Sequence, residues 1–231
     1  PFSSFTMVLQ RVPLRFILIV PFMLQVVGAV GLVGYLSFRN GQKAVNDLAN
    51  RYIQEVGDRT VQHLTAYLET PQLVNRLNGD AVRLQQLDLQ NLTAVERHFL
   101  NQLQQFDSIS SVQVGTAGSN FRQLVHNRQF WLSRSDSDNP ERVEVFQLGG
   151  TGSVGQPLQV LQSSPVRDRL WYQAALGAGK PGWSQISRLN DQGGLSLTAS
   201  LPVYNSQGKE QGVFSASVYL SEINRFLSRL D

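Results

Sequence analysis

Residues 195–220 read LSLTASLPVYNSQGKEQGVFSASVYL. Leu195, Leu197, Ala199, Leu201 and Val203 alternate with Ser196, Thr198, Ser200 and Pro202. A period of two marks a strand, because successive side chains point to opposite faces. Asn205 to Gly208 supplies a turn, and Gly212 to Leu220 resumes the alternation with Phe214, Ala216, Val218 and Leu220 on one face. Just upstream, Trp183–Leu189 reads as a further strand, and Asp191-Gln192-Gly193-Gly194 as its hairpin loop. Strands joined by such short loops pair antiparallel. Ser221–Leu230, with Ile223, Phe226, Leu227 and Leu230, reads as a closing helix with Ser221 as its N-cap.

Moving towards the N-terminus, the spacing predicts short strands at Ser111–Thr116, Phe121–His126 and Arg142–Leu148, and a helix within Ser164–Gly179. Thr93-Ala94-Val95-Glu96 fits a capping box, in which Thr accepts from a backbone N–H and Glu reaches back. Val95, Phe99, Leu103 and Phe106 give that helix its apolar face. Gln72 to Leu92 reads as shorter helical pieces broken at Asn78-Gly79-Asp80. Helices followed by a mostly antiparallel sheet define an α+β domain.

Phe16–Phe38 is 23 residues long without a charged side chain. As a helix it would span roughly 34 Å, enough for a bilayer core of about 30 Å. It is too long for the apolar region of a cleaved signal peptide. Asn40–Thr70 then carries Val45, Leu48, Tyr52, Val56, Thr60, Leu64 and Leu68 at spacings of three and four, and Pro71 is expected to end that helix. Its stripe either packs on its own domain or faces the same helix of a second chain; both remain open. The expected organisation is a cytoplasmic leader at 1–15, a transmembrane helix at 16–38, a stalk helix at 39–70 and a lobe at 71–231. Arg11 and Arg15 before the span balance Arg39, Lys43 and Arg51 after it, so the positive-inside rule leaves orientation undecided.

Bulk composition narrows the function classes. A net charge of +3 without a basic run gives no electrostatic footprint for nucleic acid. The absence of cysteine excludes a disulfide framework and a Cys-ligated zinc site. His63, His98 and His126 are scattered, without metal-type spacing. Gly150-Thr151-Gly152-Ser153-Val154-Gly155 matches G-x-G-x-x-G, but a phosphate cradle needs a helix next, and Gln156-Pro157-Leu158-Gln159-Val160 reads as extended. No paired carboxylates or nucleophile elbow point to an enzyme active site, and no cofactor is implied. Asp168-Arg169-Leu170-Trp171-Tyr172 sets a guanidinium beside two aromatics at a helix start. That suits either a carboxylate-binding pocket or core aromatics with a surface Arg.

The chain resembles the Cache domain, the PAS-like extracytoplasmic sensor of bacterial transmembrane receptors. The resemblance is strongest over Arg167 to Leu227. It is carried by Arg169-Leu170-Trp171-Tyr172-Gln173-Ala174-Ala175, Gly179-Lys180-Pro181-Gly182-Trp183-Ser184, Ser200-Leu201-Pro202-Val203-Tyr204 and Gln211-Gly212-Val213-Phe214. It implies a membrane-distal lobe outside the inner or plasma membrane. A second lobe and an output module, such as a histidine kinase, nucleotide cyclase or chemotaxis module, would lie beyond residue 231. It also implies a small-molecule ligand; the stripe of the stalk helix carries the expectation of a homodimer.

In amino-acid-binding members, the Arg, Trp and Tyr matching Arg169, Trp171 and Tyr172 hold the carboxylate, and a Tyr and Asp on the next strand plus an Asp on the last hold the ammonium. The matching positions here are aligned as Ile186, Arg188 and Ser217, so the ammonium half is expected to be missing. Arg188, if it faces the pocket, would favour an anionic ligand. Trp183 and Ser217 complete the candidate set. The competing expectation is a membrane-anchored dimerisation or interaction module whose pocket is filled by side chains.

Overall fold

The computed structural model describes residues 14–149, 152–184, 186–188 and 194–228. The chain divides into two compact units, residues 1–59 and 60–231. In the first, the described residues form one helix, part of α1 (Leu14–Arg83). This is the one described helix long and apolar enough to cross a membrane. Its apolar side chains are exposed: Leu18, Phe22, Val27, Val30 and Phe38 along the apolar run, and Val45, Leu48 and Tyr52 beyond it.

The second unit is an antiparallel sheet with helices on both faces. Its strands are β1 (Ser111–Thr116), β2 (Phe121–Asn127), β3 (Gln129–Ser135), β4 (Arg142–Leu148), β5 (Gln159–Gln162), β6 (Gly182–Trp183), β7 (Ser187–Arg188), β8 (Leu195–Tyr204) and β9 (Glu210–Tyr219). The order is β5-β4-β3-β2-β1-β9-β8-β6, with β7 also on the free edge of β8. The helices are α2 (Leu92–Gln105), α3 (Leu170–Ala178) and α4 (Leu220–Leu227), with a 3-10 turn at Val166–Asp168. The architecture is α+β.

The hairpin of β8 and β9 and the central β1 fix two faces through their register. Val112 lies opposite Ala216 and Leu124, and Ala216 opposite Ala199. Val112, Leu124 and Ala216, with Val114, Leu132, Phe146 and Phe214, meet Val74 of α1 and Val95, Phe99 and Leu103 of α2 in the main core. Phe99 and Phe214 meet edge to face at 6.1 Å. Each large side chain buried there contributes about 1.5–3 kcal/mol.

Several boundaries differ from the sequence reading. α1 runs through Pro71 and Asn78-Gly79-Asp80 to Arg83, where the reading ended it at Thr70. Packing overrides propensity there. Val74, Asn75 and Asn78 are fully buried. Asn75 Nδ2 donates to the Ala199 carbonyl at 2.8 Å, and Asn78 Oδ1 accepts from Gln102 Nε2 at 2.8 Å. Gly79 allows the close approach, since a Cβ would stand 2.9 Å from Leu201 Cδ2.

α2 starts one residue before Thr93, and Asn91 Oδ1, not Thr93, caps it by accepting from the Ala94 N–H at 3.1 Å. Glu96 pairs with Arg122 at 2.7 Å and does not close a capping box. β3 and β5 were not read from the sequence. The single strand expected at Trp183–Leu189 is two short pieces, β6 and β7, and its hairpin loop falls mostly outside the described residues. α4 begins at Leu220 behind Tyr219, which makes no side-chain cap bond; Ser221 lies inside the helix. The G-x-G-x-x-G match, described from Gly152, leads into extended chain and β5.

Candidate functional site

The second sheet face carries the other parity of the same strands. Ser111, Ser217 and Thr198 form one cross-strand row; Gln123, Gln113, Ser215 and Ser200 form the next; Phe121, Gly115, Val213 and Pro202 form the third. The hydroxyl and amide side chains of the first two rows are all nine-tenths or more buried. Gln123 Nε2 donates to Gln113 Oε1 at 2.9 Å, and Gln113 Nε2 to Ser215 Oγ at 2.8 Å. Thr198 Oγ1 and Ser217 Oγ share a hydrogen bond of 2.7 Å. Ser111, Ser200 and, beside Phe121, Ser135 have buried hydroxyls without a partner. A buried hydroxyl left unpaired costs about 1–3 kcal/mol.

α3 covers this face. Tyr172 is fully buried with Val166, Ala175, Phe121 and Val213. Gly115 makes that possible, since a Cβ would stand 2.5 Å from Val166 Cγ2 and 2.8 Å from the Tyr172 ring. The Tyr172 hydroxyl donates to the Glu210 carboxylate, which also pairs with Arg167 at 3.2 Å. Burial, and then the bond to Glu210, raises the Tyr172 phenol above its ordinary pKa. Trp171 is half-buried, its ring 5.6 Å from that of Tyr172 and steeply tilted.

Arg169 occupies the N-cap position of α3 in extended conformation. Its guanidinium carbon lies 4.0 Å over the Phe121 ring. The group donates to the Ser164 carbonyl at 3.2 Å and to Ser163 Oγ at 3.3 Å. Among the described residues no carboxylate pairs with it, and burial draws its pKa down to about 10. No described group of His, Asp and Glu side chains is arranged to hold a metal ion.

No family model matches the sequence, and no curated protein matches it. Solved structures do. The chain is similar to the ligand-binding domain of the Pseudomonas aeruginosa amino-acid chemoreceptor PctC, crystallised with GABA, at TM-score 0.51 and 19 % identity over 77 % of this chain and 66 % of that one. The fold is of the Cache type. It is likewise similar to methyl-accepting chemotaxis protein X, at TM-score 0.54 and 14 % identity over 81 % of this chain and 68 % of that one. The extracellular domain of the histidine kinase soHK1S-Z6 matches at TM-score 0.50 and 12 % identity over 75 % of this chain and 65 % of that one. The chain thus spans just under two thirds of the PctC and kinase domains.

Within the lobe the candidate residues separate by face. Arg169, Tyr172 and Ser217 lie on the α3 side, with Trp171 against Tyr172. Trp183 and Arg188 do not join them. Trp183 pairs with Ala199, and Arg188 with Leu195, which puts both on the α1 side of the sheet. Trp183 lines a groove there with Thr65, Leu68, Glu69, Gln72 and Leu197. Ser187, opposite Ser196, is the β7 residue on the polar face. One residue of register is enough to reverse every side chain of a strand, so the aligned positions Ile186 and Arg188 miss the face. The sequence reading also missed Gln113, Gln123, Ser111 and Ser200. Alternation flagged the last as the solvent side of an amphipathic strand, and only the covering helix makes it interior.

Proposed function

We propose that this chain is the ligand-sensing region of a membrane-anchored signal-transduction receptor, with α1 crossing the membrane and the Cache-type lobe on the extracytoplasmic side. The observation that carries the reading is the α3 face itself. Unpaired buried hydroxyls and an uncompensated guanidinium are costly in a finished core and useful at a binding site. The ligand would bias β8 and β9, which lead directly into α4, against α1. It can do so only through differential affinity for two states. The exposed stripe of Val45, Leu48 and Tyr52 supports a homodimer through the stalk, and the fold's other bearers support an output of chemotaxis or histidine-kinase type.

A second reading, an interaction module without a small ligand, is favoured by the pairs Thr198–Ser217 and Gln113–Ser215, which already satisfy one another. Arg169→Ala in the full chain, reconstituted in lipid nanodiscs, separates the two. Under the sensing reading a small-molecule panel that raises Tm for the parent chain leaves the variant unmoved. Panel compounds that never shift the parent chain would favour the module.

A further inference from the structure

β5 ends the sheet. Among the described residues β4 is its one strand neighbour, and its other side is open. Register decides which backbone groups stand on that side. The Ser163 N–H donates to the Glu141 carbonyl at 2.9 Å, one step beyond Gln162, which lies opposite Arg142. Hydrogen-bonded and non-hydrogen-bonded pairs alternate along an antiparallel ladder. Leu161 therefore shares the inward parity of Ser163, while Val160 and Gln162 turn their N–H and C=O groups away from β4. Leu158, whose N–H donates to the Val145 carbonyl at 2.9 Å, closes that outward row. Sheet edges are ordinarily blunted by charge. Here no charged residue occurs from Gly149 to Val166. Leu158 and Val160 are 64 % and 46 % exposed.

We propose that β5 is a self-docking edge, which pairs antiparallel with β5 of a second copy of this chain about a two-fold axis at Leu161. A two-fold interface sets one patch against itself, so the patch must be its own complement. This one is. An axis at Leu161 puts Val160 opposite the partner's Gln162, and Gln162 opposite the partner's Val160. Each outward N–H then meets an outward carbonyl. Charge agrees: Glu144 lies beside Val160 and Arg142 beside Gln162. The row that crosses the seam thus ends in Glu144 on one side and the partner's Arg142 on the other, and like charges do not meet. β4, β3, β2, β1 and β9 separate β5 from β8, to which α1 bonds through Asn75, so the seam is distinct from a stalk contact. A seam this short falls below the roughly 1,200–2,000 Å² of a stable complex. It relies on the high effective concentration of chains held in one membrane, and to that extent rests on the anchoring proposed above.

The chain has no cysteine, so a single introduced thiol can form a disulfide only with another copy. Leu161→Cys and Gln159→Cys are each inserted as the full chain into liposomes, flotation establishing that the chain is anchored, and oxidised with copper phenanthroline. Residues paired on the axis without hydrogen bonds have Cα atoms about 4.5 Å apart, within disulfide reach. Thiols at position 159 would lie about 14 Å apart, out of reach. Leu161→Cys should therefore cross-link at least ten-fold faster. Adding Gln162→Pro, which removes an outward N–H and no bond to β4, should slow that reaction at least five-fold. Equal rates at 159 and 161, or no effect of Gln162→Pro, overturn the seam and leave anchoring intact. A second measurement needs no substitution. Hydrogen exchange at the Val160 and Gln162 amides of the parent chain should slow as its density in the membrane rises. Exchange as fast as exposed amides at every density overturns the pairing, and protection that ignores density overturns the second copy as the occupant.

Discussion

The rings of Tyr67 and Phe226 stack at 4.6 Å, tilted by 24°. This contact ties α4, the element that follows β9, to α1. β9 carries Ser215 and Ser217 on its α3-side face, so the stack lies at the end of a short covalent path from the candidate site. A double-mutant cycle of Tyr67→Ala and Phe226→Ala in urea denaturation should give a coupling of about 1 kcal/mol. Strict additivity would mean that the rings touch without stabilising the docked helix.

Substituting Gly115 by Ala should dislodge α3. The added methyl would stand 2.5 Å from Val166 Cγ2 and 2.8 Å from the Tyr172 ring, and neither buried group has room to retreat. Overpacking of this kind costs about 1–3 kcal/mol. Thermal unfolding should show the loss, with hydrogen exchange rising first in α3; an unchanged Tm would contradict the packing described.

Arg122 bridges α2 and the sheet, and its two carboxylate partners should differ in weight. The Arg122 and Glu96 side chains are 7 % and 12 % exposed, whereas Asp136 is 61 % exposed. Glu96→Gln removes the more buried of the two partners and should destabilise by about 2–3 kcal/mol, Asp136 still holding the guanidinium. Asp136→Asn should cost under about 1 kcal/mol, because solvent screens that pair. Equal losses in chemical denaturation would mean that burial is not what ranks them.

His98 should make the lobe acid-sensitive. Burial lowers its pKa, and Nε2 lies 2.9 Å from Asn78 Oδ1, which Gln102 also engages. A neutral Nε2–H donating to Asn78 fits that geometry. Because the folded pKa lies below the unfolded value of about 6.5, the unfolded chain binds the proton more readily. The contribution is complete above the unfolded pKa and is lost as pH falls through the folded one. Thermal unfolding should therefore show Tm dropping below about pH 6.5, and His98→Gln should flatten that slope. A variant with the same slope would place the sensitivity elsewhere.

Some of this was legible in the residue order and some was not, for identifiable reasons. The β8–β9 hairpin was readable because apolar and polar residues alternate cleanly from Leu195 to Leu220. β3 escaped because its turn uses Arg128, with φ of +61°, where no glycine or Asn-Gly pair signals a hairpin. α1 was cut short at Pro71 because local propensity knows nothing of the Asn75 and Asn78 bonds to β8 and α2.

Local order by itself determined what depends on near neighbours: an apolar helix of membrane length, a meander with short turns, and an Arg-Leu-Trp-Tyr helix start. Tertiary structure alone decided which face of each strand is interior. Ser200 and Ser217 sit on the hydrophilic side of amphipathic strands, yet α3 and its flanking chain bury that side as deeply as the core. Periodicity reports that two faces differ; which of them meets water depends on what distant chain lies over it.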